Sequence, residues 1–198
     1  MLEQLDRDLF LFLNGLHAPW LDVVMWYISW TATWIPLFIF ISWYAWKKFN
    51  MKFMLLLLLA AGISVAITDR VSVVVFKNQV ERYRPTHNLE IKDQVHTVIT
   101  PEGKEYRGGL YGFVSSHAAN FSGITLLIVL WFRKKSTWWY LLFVWLFLIA
   151  YSRIYLGVHY PADLFVGVLL GLVSGFIVFF LQRWFLKKYK IYPPENSV

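Results

Sequence analysis

Cysteine is absent from the 198-residue chain. That excludes disulfides, a thiolate nucleophile and a cysteine-ligated metal centre, and it leaves the redox compartment unmarked. The pattern of a cleavable signal peptide is also missing. Such a peptide opens on positive charge and a short apolar core, whereas Met1 to Asp8 already carries Glu3, Asp6, Arg7 and Asp8, so no cleavage is expected. Chemistry therefore falls to His, Asp, Ser, Lys and Arg. What the chain has in excess is apolar surface. Hydrophobic residues make up 58% and aromatic residues 20%, in runs too continuous for one soluble core. The chain reads as an integral membrane protein, and its net charge of +7 as basic residues beside spans rather than a nucleic-acid surface.

Crossing a bilayer takes about 20 apolar residues. About five runs qualify, over roughly 20–46, 53–77, 117–132, 137–153 and 162–182. The first is interrupted by "SWTATW" and becomes two if its opening half is a separate helix. The expected fold is all-α, a polytopic membrane bundle of about five to six transmembrane helices forming one domain over 1–198. Residues 1–19 are expected to form an interfacial amphipathic segment, with Leu2, Leu5, Leu9 and Phe12 at helical spacing. The tail over 191–198 is expected to be disordered. Basic clusters at Lys47, Lys48 and Lys52, at Arg133, Lys134 and Lys135, and at Arg183, Lys187, Lys188 and Lys190 fall on one side of five crossings, the expected cytoplasmic side. The N-terminus, the 78–116 loop and the 154–161 joint then share the opposite face, where Lys77, His117, Arg153 and His159 stand at span ends of similar depth.

Three stretches on that face carry chemistry. "KNQVERYRP" packs Lys77, Arg82, Arg84 and Pro85 at a span end. Arginine forks and a lysine point charge suit a phosphoryl group, although basic residues also snorkel at interfaces without further function. In "GFVSSHAAN", Ser115 and Ser116 are N-cap residues before His117. A helix start offers free N–H groups to an anion, and the plain alternative is a capping pair followed by an interfacial histidine. In "YSRIYLGVHYPADLFVG", Pro161 fits a first helical turn, which puts Asp163 within reach of His159, four residues earlier. A carboxylate on Nδ1–H would leave Nε2 free as a nucleophile. Asp163 would otherwise only complement the helix dipole.

Together these stretches resemble the type 2 phosphatidic acid phosphatase family of membrane lipid phosphatases, which shares its pattern with vanadium haloperoxidases and bacterial acid phosphatases. The family's first motif reads here as Lys77 to Arg84-Pro85, and its third as Ser152-Arg153 to His159 and Asp163. Its Pro-Ser-Gly-His motif reads Val114-Ser115-Ser116-His117, departing at Val114 and Ser116. The resemblance implies His159 as nucleophile, Asp163 as its orienting group and His117 as the acid that protonates the leaving oxygen. It implies Lys77, Arg84, Arg153, Ser115 and, where the motif has glycine, Ser116 as phosphate ligands, with no metal and no cofactor. The expected partners are a lipid phosphate substrate and the bilayer, with no nucleic acid. The expected place is a bacterial inner membrane with the site at the periplasmic face. Undecaprenyl diphosphate is the leading substrate, with lipid A or phosphatidylglycerophosphate as alternatives. A different class, a bis-histidine haem protein using His117 and His159, leaves Lys77, Arg84, Arg153 and Asp163 unexplained. Against a lipid-binding or scaffolding protein with a decayed site stands the intact motif set.

Outside the motifs, His87 and His96 lie in the 78–116 loop. Asp69 and Arg70 are charges inside the second span, with Arg70 seven residues before Lys77 and so near the same face of an α-helix. A structural ion pair is the favoured role for them.

Overall fold

A computed structural model describes residues 1–191. Apolar runs fold into helices wherever a cap or a proline sets their start. These are α1 (Leu2–Asn14), α2 (Pro19–Ser29), α3 (Ile35–Lys48), α4 (Met51–Val71), α5 (Asn78–Val80), α6 (Ser116–Phe132), α7 (Leu141–Tyr155) and α8 (Pro161–Lys188). Proline stands in the first turn of α2, α3 and α8, where its missing N–H costs nothing. The Asn50 side chain accepts from the Phe53 N–H at 2.8 Å and starts α4. A π-turn, Ser72–Lys77, joins α4 to α5 without a break in the rod. Among the described residues there is no strand, only isolated bridges pairing Tyr83 with Tyr111 and Ile99 with Glu105.

The protein is an all-helical membrane bundle. Three helical stretches are long and apolar enough to cross a bilayer, Met51–Val80, Thr137–Tyr155 and Pro161–Lys188. The pair Leu2–Asn14 and Pro19–Ser29, bent by 116°, makes up to four if counted as one span. That count takes only helices that qualify by length and apolarity, and two features place it below the about five to six expected. The 20–46 run breaks at Trp30, whose backbone is extended, into an 11-residue α2 and a 14-residue α3. The apolar α6 has 17 residues, short of the usual span. The C-terminal helix runs on to Lys188, and Ile191 packs against the core. The rest of the expected disordered tail, 192–198, lies outside the described residues.

Buried residues occur all round α6, which packs most extensively on α8 and also touches α4 and α7. The α6–α8 contact is made by small residues. A Cβ added at Gly171 would lie 1.9 Å from Ser122 Oγ and 2.0 Å from the Ala119 carbonyl oxygen. One at Gly175 would lie 2.5 Å from the Gly123 carbonyl oxygen, and one at Gly167 2.6 Å from that of Ser115. The two backbones touch, as small-residue stripes allow between membrane helices. Ser64 and Ser174 hydrogen bond at 3.1 Å and tie α4 to α8.

The N-terminal helix presents Leu2, Leu5, Leu9 and Phe12 outward and buries Phe10 and Asn14. The Asn14 amide donates to the Ile154 and Tyr155 carbonyls at 3.1 and 2.9 Å. Its Oδ1 accepts from the His96 N–H at 2.8 Å. So α1 is docked on the end of α7 and on the long loop that precedes α6.

Candidate active site

Four helix ends and the 81–115 loop enclose the charged cluster. At the start of α8, Asp163 Oδ2 accepts from the Tyr160 N–H at 3.0 Å, a backward cap that places the carboxylate under the preceding loop. His159 Nδ1 lies 3.4 Å from that oxygen. This is a long contact, and the Gly112 backbone also hydrogen bonds the ring. The other oxygen, Oδ1, accepts from Arg82 at 2.9 Å. A second arm of Arg82 reaches Asp6 of α1 at 2.7 Å, and Asp6 also accepts from the Ala162 N–H at 2.9 Å. Burial opposes the Arg82 charge, but Asp163 and Asp6 raise its pKa above the ordinary value.

His159 is 2% exposed. Burial first, then the charges of Arg84, Arg153 and Lys77, hold its pKa well below the ordinary histidine value. The ring is therefore neutral at neutral pH. Its Nε2 faces a guanidinium nitrogen of Arg84 at 3.1 Å, and the same nitrogen donates to the Val158 carbonyl at 3.1 Å. Burial and the neighbouring Arg153 lower Arg84 to about 10, which leaves it a cation. A histidine whose Nε2 is buried against a guanidinium is a poor axial haem ligand. With Asp163 on the Nδ1 side, Nε2 carries the lone pair.

Lys77 donates to Ser116 Oγ at 2.8 Å, so the serine that stands in place of the motif glycine touches the first of the cations. Ser115 caps α6, accepting from the Ala118 N–H at 3.4 Å. Its own N–H donates to the Asp163 carbonyl at 3.1 Å, which fixes the start of α6 to the start of α8. His117 follows in the first turn, near enough to Arg153, His159, Arg84 and Lys77 for each to act on it electrostatically. Arg153, 3% exposed, donates to Tyr106 Oη at 2.9 Å and to Ser29 Oγ. Among the described residues, the buried Nε atoms of Arg84 and Arg153 have no hydrogen-bond partner. Among the described residues no group of three or more His, Cys, Asp and Glu side chains is arranged to hold a metal ion.

The structure thus brings the three sequence motifs into one pocket and adds residues the motifs do not contain. From sequence Arg82 reads only as one more cation in its run, and Asp6 only as one of the charges at the N-terminus. Ser29, Tyr106 and Gly112 carried no signal of their own. At Gly112 an added Cβ would stand 3.1 Å from both Asp163 Oδ2 and Arg84 Cγ, so the loop backbone passes close over the dyad. The loop histidines stand apart. His87 hydrogen bonds Thr86 at 3.1 Å, while His96 stacks on His17 with 3.8 Å between ring centroids and pairs with Asp22 at 2.9 Å.

The expected face-sharing of Arg70 and Lys77 is altered by the π-turn, which delays rotation over 72–77. Asp69 is the residue that joins Lys77 in facing α6, accepting from Asn120 Nδ2 at 3.0 Å, one turn below Ser116. Among the described residues no ion pair joins Asp69 to Arg70.

A neutral buried imidazole with a carboxylate behind it, a second histidine at a helix start and three cations around both can attack a phosphoryl group and stabilise its transfer. Comparison with known proteins agrees. The chain is 33% identical over 185 residues to a lipid A 4'-phosphatase of Bacteroides thetaiotaomicron, covering 92% of this chain and 79% of that protein. It is 37% identical over 176 residues to a lipid A 4'-phosphatase of Porphyromonas gingivalis, covering 89% and 72%. The crystal structure of Aquifex aeolicus LpxE superposes with a TM-score of 0.61 at 29% identity, covering 88% of this chain and 94% of that one. The model of the PAP2 superfamily matches residues 52–187, a stretch that holds every motif residue converging on His159, and the chain is a membrane phosphatase belonging to that superfamily.

Proposed function

We propose that the protein hydrolyses a phosphate monoester on a glycolipid of the lipid A class, through a phosphohistidine at His159. The observation that carries the reading is the His159 ring, neutral and buried, with Nε2 turned toward Arg84 and Nδ1 toward Asp163. In the first step Nε2 attacks phosphorus, the bond from phosphorus to the lipid oxygen breaks, and His117 gives that oxygen a proton. In the second, His117 takes a proton from water as its oxygen attacks the phosphohistidine, and phosphate leaves with His159 restored. Arg84 turns from Nε2 to the phosphoryl oxygens as substrate arrives, joined by Lys77 and Arg153. Asp163 steadies the imidazolium character that develops on His159.

The two relatives named as lipid A 4'-phosphatases favour this substrate over undecaprenyl diphosphate, the leading expectation from sequence. The basic clusters at the ends of α3, α6 and α8 lie at the opposite end of the bundle from the site. With positive charge retained inside, the site opens on the outer face of a bacterial inner membrane.

The test is phosphate release in detergent, with a chelator present, from lipid A, undecaprenyl diphosphate and phosphatidylglycerophosphate. Lipid A is expected to be turned over with the highest kcat/KM, and His159→Ala to release nothing from any of the three. A higher kcat/KM on undecaprenyl diphosphate overturns the substrate. Activity that is lost to chelation and restored by a divalent ion overturns the mechanism.

A further inference from the structure

The run "SWTATW" breaks the first apolar stretch for no reason that the catalytic cluster supplies. In the structure that break lines a cavity of about 280 Å³ which opens directly beside the cluster. Its inner wall is His117 and Arg153; its outer wall is Trp26, Trp30 and Thr31, with Tyr106 and Ser29 between. Trp26 and Tyr106 meet edge to face with 5.1 Å between ring centroids. The Tyr106 and Ser29 hydroxyls are both engaged by Arg153, which fixes that side of the cavity. Trp30 and Thr31 stand exposed at the lip. The break itself is held by Trp34, whose Nε1 donates to the Ile28 carbonyl at 2.9 Å. Other cavities, such as those between α4 and α8 and among α3, α4 and α6, are lined almost wholly by aliphatic and aromatic side chains.

Aromatic faces combined with a few hydroxyls and a buried cation suit neither an alkyl chain nor a bare phosphate. A sugar ring has what this wall answers: C–H faces that pack on aromatic rings, and hydroxyls that hydrogen bond at its edge. The volume is at the low end for a small-molecule pocket, with room for a single ring. Position matters as much as lining. His117, the acid in the proposed reaction, is part of the wall, so a group in the cavity is the one whose oxygen His117 would protonate.

We infer that this cavity binds the sugar ring bearing the scissile phosphate, with Trp30 and Thr31 as specificity-determining residues. The inference rests on the phosphatase reading above and gives it a recognition element. A phosphate carried directly on glycerol or on an isoprenyl chain would leave the aromatic wall uncovered.

The test compares kcat/KM for lipid A with kcat/KM for phosphatidic acid, a monoester without a sugar, in the wild type, Trp30→Ala and Thr31→Val. The ratio is expected to fall at least tenfold in Trp30→Ala and measurably in Thr31→Val, with the loss in KM for lipid A rather than in kcat. If the wild type turns over lipid A alone, that KM carries the comparison. If Trp30→Ala fails to insert, Thr31→Val, which is nearly isosteric, decides. A ratio and a KM unchanged in the variants overturn the sugar subsite, as does a wild type that prefers phosphatidic acid. A wild type that releases phosphate from neither lipid refutes the phosphatase reading itself.

Discussion

Replacing Arg82 by methionine removes a charge that never touches the substrate in the proposed scheme and keeps most of the side-chain volume. Arg82 is 19% exposed in its side chain, bonded to Asp163 at 2.9 Å and to Asp6 at 2.7 Å, with its cation 4.0 Å from the Tyr160 ring centroid. Among the described residues, its loss leaves the Asp163 carboxylate held by the Tyr160 N–H and the long contact to His159 alone. A hydrogen bond to a charged group contributes about 1.5–3 kcal/mol, and each 1.36 kcal/mol is tenfold in rate. If that bond is what holds Asp163 square to His159, kcat on lipid A falls roughly tenfold to 150-fold while KM changes little. Asp6→Asn keeps an acceptor for the Ala162 N–H but loses the charge facing Arg82, so its effect is smaller and in the same direction. Because Asp6 acts on the dyad through Arg82, the double variant should be no slower than Arg82→Met alone. Steady-state kinetics on the three purified variants measures all of this. Fully additive effects, or a raised KM at unchanged kcat, would refute the positioning role and place Arg82 among the phosphate ligands.

The pH dependence follows from His159. Because its pKa lies well below the ordinary value through burial and the neighbouring cations, the nucleophile stays deprotonated as pH falls through that value. The acid limb of kcat/KM should sit below about pH 6.5 and move upward in Arg84→Gln, which removes one of the depressing charges. A limb at or above that pH in the wild type contradicts the assignment. Orientation is checked by introducing cysteines into the cysteine-free chain at the exposed positions Lys104 and Lys134. Lys104→Cys should react with an impermeant thiol reagent added to spheroplasts and Lys134→Cys should not, and the reverse pattern places the site in the cytoplasm.

The charged cluster was legible because ionisable residues are rare in so apolar a chain and gather at the ends of its runs. His159, Asp163 and Arg153 fall within one short segment, and the cap before His117 is a local signal that the structure retains. Arg82 could not be assigned in the same way. Its partners lie 81 and 76 residues away, and nothing local distinguishes a guanidinium that orients a carboxylate from one that binds phosphate. The π-turn was equally silent. Ser72 to Lys77 is a valine-rich run that suits an ordinary helix, so a spacing of seven pointed to Arg70 where the wider turn brings Asp69 to the face toward α6. The interruption at "SWTATW" was legible too, but hydropathy does not register the change of backbone direction at Trp30, so it left open whether 20–46 is one helix or two.

Gly167, Gly171 and Gly175 let the helix that follows His159 lie directly on the helix that begins beside His117. Where two backbones touch, no flexible side chain remains between them to take up slack. The spacing of His117 and His159 is then set by main-chain clearance, at the tight end of what helices allow. On the opposite side of the same helix, Phe165, Leu169, Val173 and Phe176 face outward. Those positions can adapt to the thickness and composition of whatever membrane surrounds the protein without retuning the reaction, since matching the bilayer and aligning the chemistry are assigned to different faces of one rod.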